Sequence, residues 1–389
     1  MHKIRTYNQI SALGLDRFSR SLYEVASEIT HPDAFLLRSQ NLHSIELPDT
    51  LQAIARAGAG VNNVPTERCS EQGIVVFNTP GANANAVKEL VLTGLLLSSR
   101  GVSEGLAFVQ SLDANQPADE MAAYLEAQKK RFAGSEIAGK TLGVVGLGAI
   151  GSMVANMALS LGMDVVGYDP AISVEAAWRL SSKVGKMDNL HSLLARSDFV
   201  SLHVPAFEAT HHLINSDSLK SAKPGLKLLN FSREEIVDHD AILPALAEGV
   251  LAAYVADFPT PNLIGKAGVL LLPHIGASTR EAEENCAVMA AEQLIDYLEN
   301  GNVKNSVNFP NIRMDRAGGS RITFSNHNVS GVLGDVLSVL AERKVNVLDM
   351  LNKSRNELAY NIIDVEGSAT EDLVAAISAL EHVIKVRVI

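Results

Sequence analysis

Short apolar runs alternate with stretches of helical spacing over the first ninety residues. The runs are AFLLRS (34–39), LQAIARAG (51–58) and GIVVFNTP (73–80). This rhythm predicts a parallel sheet with crossover helices. The stretch 83–101, NANAVKELVLTGLLLSSRG, repeats apolar residues at the helical period and ends at Gly101. A polar stretch from Ser111 to Ser135 predicts a connection to GKTLGVVGLGAIG at 139–151. A second alternation follows: MDVVGYDP (163–170), DFVSLHVP (198–205), LKLLNFS (226–232), LAAYVADF (251–258) and GVLLLPHIG (268–276). A doubly wound α/β domain is expected there, with ligand sites at the carboxyl ends of its strands. The pattern then predicts a long helix over Arg280–Asn300, a linker over Asn302–Gly319, and a βαββαβ module from Arg321 to Ile389. The expected fold class is α/β: two doubly wound (Rossmann/flavodoxin-like) parallel-sheet domains plus a C-terminal ferredoxin-like module.

Composition narrows the function. A chain of 389 residues exceeds one ordinary core. With 47% hydrophobic residues and 20% charged residues it has the make-up of a globular protein. A net charge of -11 argues against a nucleic-acid or anionic-membrane surface, although a local basic pocket can still hold a small anion. Cys69 and Cys286 offer no disulfide framework. The start, MHKIRTYNQISALGLDRF, lacks the apolar core of a signal peptide, and no run of about 18 apolar residues suits a membrane span. A reducing cytoplasm is the expected compartment. His211-His212 has no Cys or carboxylate at ligand spacing, so no metal is expected.

Gly146, Gly148 and Gly151 form a G-x-G-x-x-G loop between a strand pattern (TLGVVG) and a helix pattern (SMVANMALSLG). Such glycines let the backbone approach a pyrophosphate, and the helix start offers unpaired N–H groups. Asp169 ends the next strand, where an acid holds the adenosine ribose hydroxyls and would repel a 2′-phosphate. NAD is therefore expected over NADP. His274, in LLPHIGAST, stands at the mouth of another strand, and an imidazole there can take and return a proton near neutrality.

RAGAGVNNVP (56–65), NTPGANANAVKEL (78–90), GKTLGVVGLGAIG, GYDP, SLHVP, NFSREEIVD (230–238) and LLPHIGAST together resemble the D-2-hydroxyacid dehydrogenase family. The tail from Arg321 resembles an ACT domain. The resemblance covers nearly the whole chain and implies a discontinuous substrate domain (1–95 and 284–305), an inserted NAD domain (96–283) and an ACT module (318–389), with the active site in the cleft. It implies a homodimer or homotetramer that oxidises a phosphorylated 2-hydroxy acid, with 3-phospho-D-glycerate the leading substrate, as a step toward L-serine.

By the same resemblance His274 is the proton carrier and Arg233 the substrate-polarising cation, whose fixed fork suits a carboxylate. Cofactor contacts carry over to Ala149 and Ile150 at the pyrophosphate, Val204, Pro205, Phe231, Ser232, Arg233, Asp257, His274, Gly276 and Ala277. Substrate contacts fall on Arg38, Ser39, Arg56, Ala57, Gly58, Ala59, Gly60 and Val61, with Asn83 and Lys88 as further candidates. The family's catalytic glutamate, from a D-V-F-x-x-E-P segment, is missing: the sequence reads DFPTP at 257–261. Asp257 is expected mainly to hold the nicotinamide carboxamide, with support of His274 as a second role.

Asn328 and Asn346 match positions that hold L-serine across an ACT interface. Asn326 replaces a usual histidine there and Ser330 replaces a turn proline, so serine sensing and simple assembly both stay open. Two other functions also stay open. One is a glyoxylate or hydroxypyruvate reductase, or a 2-oxoglutarate side activity. The other is a non-catalytic regulator that senses NAD or an amino acid.

Overall fold

The computed structural model describes all residues from Met1 to Ile389. They form two compact units, one of Met1–Asn83 with Arg280–Ile389 and one of Ala84–Thr279. No helix is long and apolar enough to cross a membrane.

In the first unit, β1 (His2–Thr6), β2 (Tyr23–Ala26), β3 (Ala34–Leu37), β4 (Ala53–Arg56) and β5 (Val75–Phe77) build a parallel sheet in the order β2-β1-β3-β4-β5. β3 and β5 are buried throughout, as unbroken apolar runs in a covered parallel sheet should be. β1 reads HKIRT and only Ile4 is fully buried, so its apolar pattern is too sparse to predict. The helix Arg280–Asn300 has the bounds expected from the sequence. Its Cys286, Ala287, Ala290, Leu294 and Tyr297 join the core made by Ala53, Ala55, Val75 and Phe77.

The second unit holds β6 (Thr141–Val145), β7 (Asp164–Tyr168), β8 (Gly185–Lys186), β9 (Phe199–Leu202), β10 (Leu226–Asn230), β11 (Leu251–Ala256) and β12 (Val269–Leu271). All pair in parallel, in the order β12-β11-β10-β9-β6-β7-β8. The order reverses between β6 and β9, the switch point where doubly wound sheets bind nucleotides. The helix Ala84–Ser99 buries Val87, Val91 and Leu95 in a core with Leu142, Val144 and Leu229, and therefore goes with this unit. The stretch from Ser111 to Ser135 is more ordered than a polar connection. It contains the helix Ala118–Gln128, started by Pro117 with Asp119 and Glu120 in its first turn, and a 3-10 turn over Lys129–Phe132. Phe108 packs against both Tyr124 and Phe132.

The C-terminal module has the βαββαβ order: β13 (Ser320–His327), helix Val332–Glu342, β14 (Val347–Arg355), β15 (Leu358–Val365), helix Glu371–Ser378 and β16 (Val383–Val388). Its antiparallel sheet runs β14-β15-β13-β16, the ferredoxin-like order. One face packs on its two helices through Ile322, Phe324, Val336, Leu340 and Ile377. The other joins the core of the first unit, where Tyr360 meets Tyr297 and Phe309.

The linker before the module is pinned. Arg321, fully buried, gives Nε and Nη2 to the two oxygens of Asp364 at 2.7 and 2.8 Å. Its remaining N–H groups go to the carbonyls of Asn300, Met314 and Asp315. All five guanidinium donors are thus used. Gly319 sits at φ +62°, where a Cβ would overlap the Val365 carbonyl oxygen.

Candidate active site

In the second unit the candidate residues follow the carboxyl ends of adjacent parallel strands. The glycine loop follows β6, Val204 and Pro205 follow β9, Phe231 to Arg233 follow β10, Asp257 follows β11 and His274 follows β12. One edge of one sheet therefore carries them all.

The loop turns at Gly146 (φ +87°), and the helix Ala149–Ser160 starts behind Gly148. The glycines do different work. A Cβ on Gly151 would overlap the Gly146 oxygen, so this glycine lets helix and strand touch. A Cβ on Gly148 would meet nothing within 4 Å, which leaves open space before the helix N–H groups. One Asp169 oxygen accepts from Leu147 N–H at 2.8 Å and the other from Ala171 N–H at 2.9 Å, so the acid is fixed beside the loop. Open space, free helix start and anchored acid fit the pyrophosphate and ribose of NAD.

The turn after β10 is closed on itself. Asn230 Nδ2 donates to the Arg233 carbonyl at 2.8 Å, and Asn230 Oδ1 accepts from Ser232 N–H at 3.2 Å. Ser232 Oγ donates to the Val204 carbonyl, tying this turn to the one after β9. Arg233 Nη1 donates to the Ser232 carbonyl at 2.6 Å. The Phe231 side chain is buried in the core near Gly94, so only its backbone is available to a cofactor.

His274 takes a left-handed backbone at φ +57°, uncommon for residues other than glycine, although histidine, asparagine and aspartate adopt it more often than the rest. Its ring is exposed and meets the Phe258 ring tilted at 65° with centroids 5.0 Å apart. Asp257, buried beneath, accepts Ile275 N–H at 2.8 Å through Oδ1 and Gly276 N–H at 2.6 Å through Oδ2. The carboxylate thus holds the loop that carries the imidazole through its backbone. A Cβ on Gly276 would stand 3.0 Å from Asp257 Oδ2, so the close approach needs glycine. Ala277 follows, half-buried. Pro205 is exposed at its strand end.

Lys88 donates to Asn85 Oδ1 at 2.6 Å, a local contact in the first turn of the helix Ala84–Ser99. Sequence reasoning passed over His203, whose Nε2 meets Ser201 Oγ at 2.8 Å. Burial pushes this imidazole down to about 3, so it stays neutral beneath the strand end.

The first unit holds the second set, again at carboxyl ends of neighbouring strands: Arg38 after β3, Arg56 closing β4, Thr79 after β5. Arg56 Nε donates to the Arg38 carbonyl at 3.1 Å. Its guanidinium folds over Gly58, where a Cβ would lie 3.0 Å from Arg56 Cζ. The loop from Ala57 to Val61 is fixed by Ala57 N–H to the Leu37 carbonyl, Thr79 N–H to the Gly58 carbonyl and Asn78 Nδ2 to the Ala59 carbonyl. Ser39 N–H donates to Asn8 Oδ1 at 3.0 Å. Asn83 Oδ1 is buried without a partner. The supporting Asn78 and Thr79, and the Glu283 that pairs with Arg38 at 2.7 Å, were not singled out from sequence.

In the C-terminal module Asn328 donates its N–H to the Glu357 carbonyl and its Nδ2 to the Asn356 carbonyl. Asn346 Nδ2 reaches Glu366 Oε2 at 3.2 Å. Asn326 is buried, accepting from Asn361 Nδ2 and donating to the His327 carbonyl. No group of three or more His, Cys, Asp or Glu side chains converges as a metal site.

Residues 104–276 match the model of the D-isomer specific 2-hydroxyacid dehydrogenase NAD binding domain. The chain is 34% identical over 359 residues to D-3-phosphoglycerate dehydrogenase of Escherichia coli K12, spanning 89% of this chain and 83% of that one. It is 32% identical over 357 residues to the enzyme of the same name from Haemophilus influenzae, with the same coverage. It is also similar to the NAD+-bound 3-phosphoglycerate dehydrogenase structure of Entamoeba histolytica, at 26% identity and a TM-score of 0.60, covering 79% of this chain and 98% of that one.

Proposed function

The chain belongs to the D-isomer specific 2-hydroxyacid dehydrogenase family, and we infer that it oxidises 3-phospho-D-glycerate to 3-phosphohydroxypyruvate with NAD. The observation that carries this reading is the common sheet edge holding the NAD loop, Arg233 and His274. NAD supplies the hydride acceptor. His274 takes the proton of the 2-hydroxyl as the carbinol hydrogen leaves, and returns it in the reverse direction. Arg233 presents N–H donors to the carbonyl oxygen that forms and to the adjacent carboxylate. Asp257 fixes the His274 loop, and Asp169 selects the ribose that lacks a 2′-phosphate. In the first unit, Arg38 and Arg56 are the proposed anion-holding residues. Lys88 is a weaker candidate because its ammonium is already engaged by Asn85.

We further propose a homodimer or homotetramer, to be checked by sedimentation. For the C-terminal module we favour assembly over serine sensing, because Asn328 and Asn346 are both occupied by contacts within the chain. L-serine added to the assay decides between them. Inhibition would establish the sensor; no inhibition and no thermal shift leave assembly. The reaction itself is tested by reducing NAD with 3-phospho-D-glycerate beside glycerate, lactate, glyoxylate and 2-oxoglutarate. A glyoxylate or 2-oxoglutarate preference would replace the reading with a reductase, and failure on every acid would favour a regulator.

A further inference from the structure

Arg38 Nη1 lies 2.7 Å from Glu283 Oε1, with the side chains 38% and 46% exposed. The backbone under the arginine is fixed: its carbonyl accepts from Arg56 Nε and Asn63 Nδ2, and the next two N–H groups donate to Asn8 Oδ1. Its guanidinium, by contrast, is held at one corner by a carboxylate that water also reaches. Burial pushes the Cys286 thiol up, and the charges around it act on it too, Arg38 and Arg56 pulling it down and Glu283 pushing it up. Two cations and one anion therefore share a small space at the carboxyl ends of β3 and β4.

We propose that Glu283 is a specificity-determining residue, an internal carboxylate that occupies Arg38 until the phosphate of the substrate displaces it. The proposal rests on the phosphoglycerate reading above. A phosphate monoester carries about −1.5 to −2 charges at pH 7 and three strong acceptor oxygens, more than one carboxylate offers. It can take Arg38 from Glu283. An unphosphorylated 2-hydroxy acid has a neutral hydroxyl or nothing at that position and leaves the pair intact. It sits in the first turn of the helix Arg280–Asn300, where an acid also favours the helix dipole. A purely structural role would change stability, but would not separate two substrates.

The test is steady-state kinetics of the full chain as wild type, E283Q, R38Q and the double variant, with 3-phospho-D-glycerate and with D-glycerate. In E283Q the KM for 3-phospho-D-glycerate should fall about two- to five-fold, the worth of a partly exposed ion pair, with kcat changing less. The KM for D-glycerate should move less than about two-fold, and R38Q should abolish the E283Q effect. An unchanged or raised KM in E283Q, an equal change for both acids, or an effect that persists in R38Q overturns the proposal. If the wild type fails to turn over 3-phospho-D-glycerate, the reaction reading falls by itself. The thermal shift produced by inorganic phosphate then decides for Glu283: a larger shift in E283Q supports the competition, and an equal or smaller one refutes it.

Discussion

Gly148 and Gly151 lie in one loop, yet alanine at the two positions should fail in opposite ways. At Gly151 a Cβ would stand 3.0 Å from the Gly146 carbonyl carbon, overlap its oxygen, and lie 3.3 Å from Val144 Cγ1. Ordinary non-bonded contacts are about 3.5–4.0 Å, so the overlap with the oxygen forces the helix start away from β6 by more than about one ångström. Overpacking of that kind costs about 1–3 kcal/mol. A domain of this size loses about 2–4 °C of Tm per kcal/mol, which gives a fall of about 2–12 °C without cofactor. At Gly148 the backbone has φ −66° and nothing stands within 4 Å, so alanine fits the apo fold. The loss there is the smaller N-cap preference of glycine over alanine, below about 1 kcal/mol. Its methyl instead fills the space before the helix N–H groups, and NAD affinity should drop at least about tenfold, or 1.4 kcal/mol. Thermal unfolding without cofactor and calorimetric titration with NADH measure the two effects. Equal Tm losses in both variants, or wild-type NADH affinity in G148A, would refute the division of labour.

Asp257→Asn removes one acceptor from a buried site that serves two N–H donors and turns an amide N–H toward one of them. It should cost about 1–3 kcal/mol and reduce turnover, with the pH–rate profile keeping its shape; a shifted profile would show direct contact with the imidazole. Asp364→Asn leaves the buried Arg321 guanidinium without its counter-charge and should destabilise by about 3–5 kcal/mol, read by chemical denaturation. Burial pulls the Asp364 carboxyl up, but the Arg321 hydrogen bonds and Ala317 N–H outweigh it and hold it below the usual range. Its contribution is therefore full above the ordinary carboxylate range and lost as pH falls through the lowered value. Burial pushes the Lys385 ammonium down to about 8, so the unfolded chain binds more protons than the fold between there and 10.5. Stability should rise with pH across that window, and Lys385→Met should flatten the rise in pH-dependent melting curves.

The parts of this molecule legible from sequence are those whose cause is local. The glycine loop, the acid 22 positions beyond Leu147, the long helix at Arg280 and the βαββαβ tail all follow from spacing and periodicity. β1 escaped because a strand with one fully buried side chain has no period to read, and the two-residue β8 is too short to carry one. The helix Ala118–Gln128 escaped because none of its residues is buried, so polarity hid it. The Arg321–Asp364 pair joins residues 43 apart, and nothing local to either marks the other. Asp257 was legible as important, but its use by two backbone N–H groups was not, because that depends on how the turn after β12 folds back over β11. Glu283 was hidden by its place in an acidic helix start, where one glutamate looks like its neighbours.

The proposed function turns on His274 carrying the proton in an NAD-linked oxidation of 3-phospho-D-glycerate. Initial rates of NADH formation, with NADH affinity measured in parallel for wild type and His274→Ala, test it most directly. Turnover by the wild type is expected, with a loss of about 10²- to 10⁴-fold in kcat for the variant and little change in NADH affinity. A variant that keeps wild-type kcat, or a wild type that binds NADH and leaves 3-phospho-D-glycerate untouched, would contradict it.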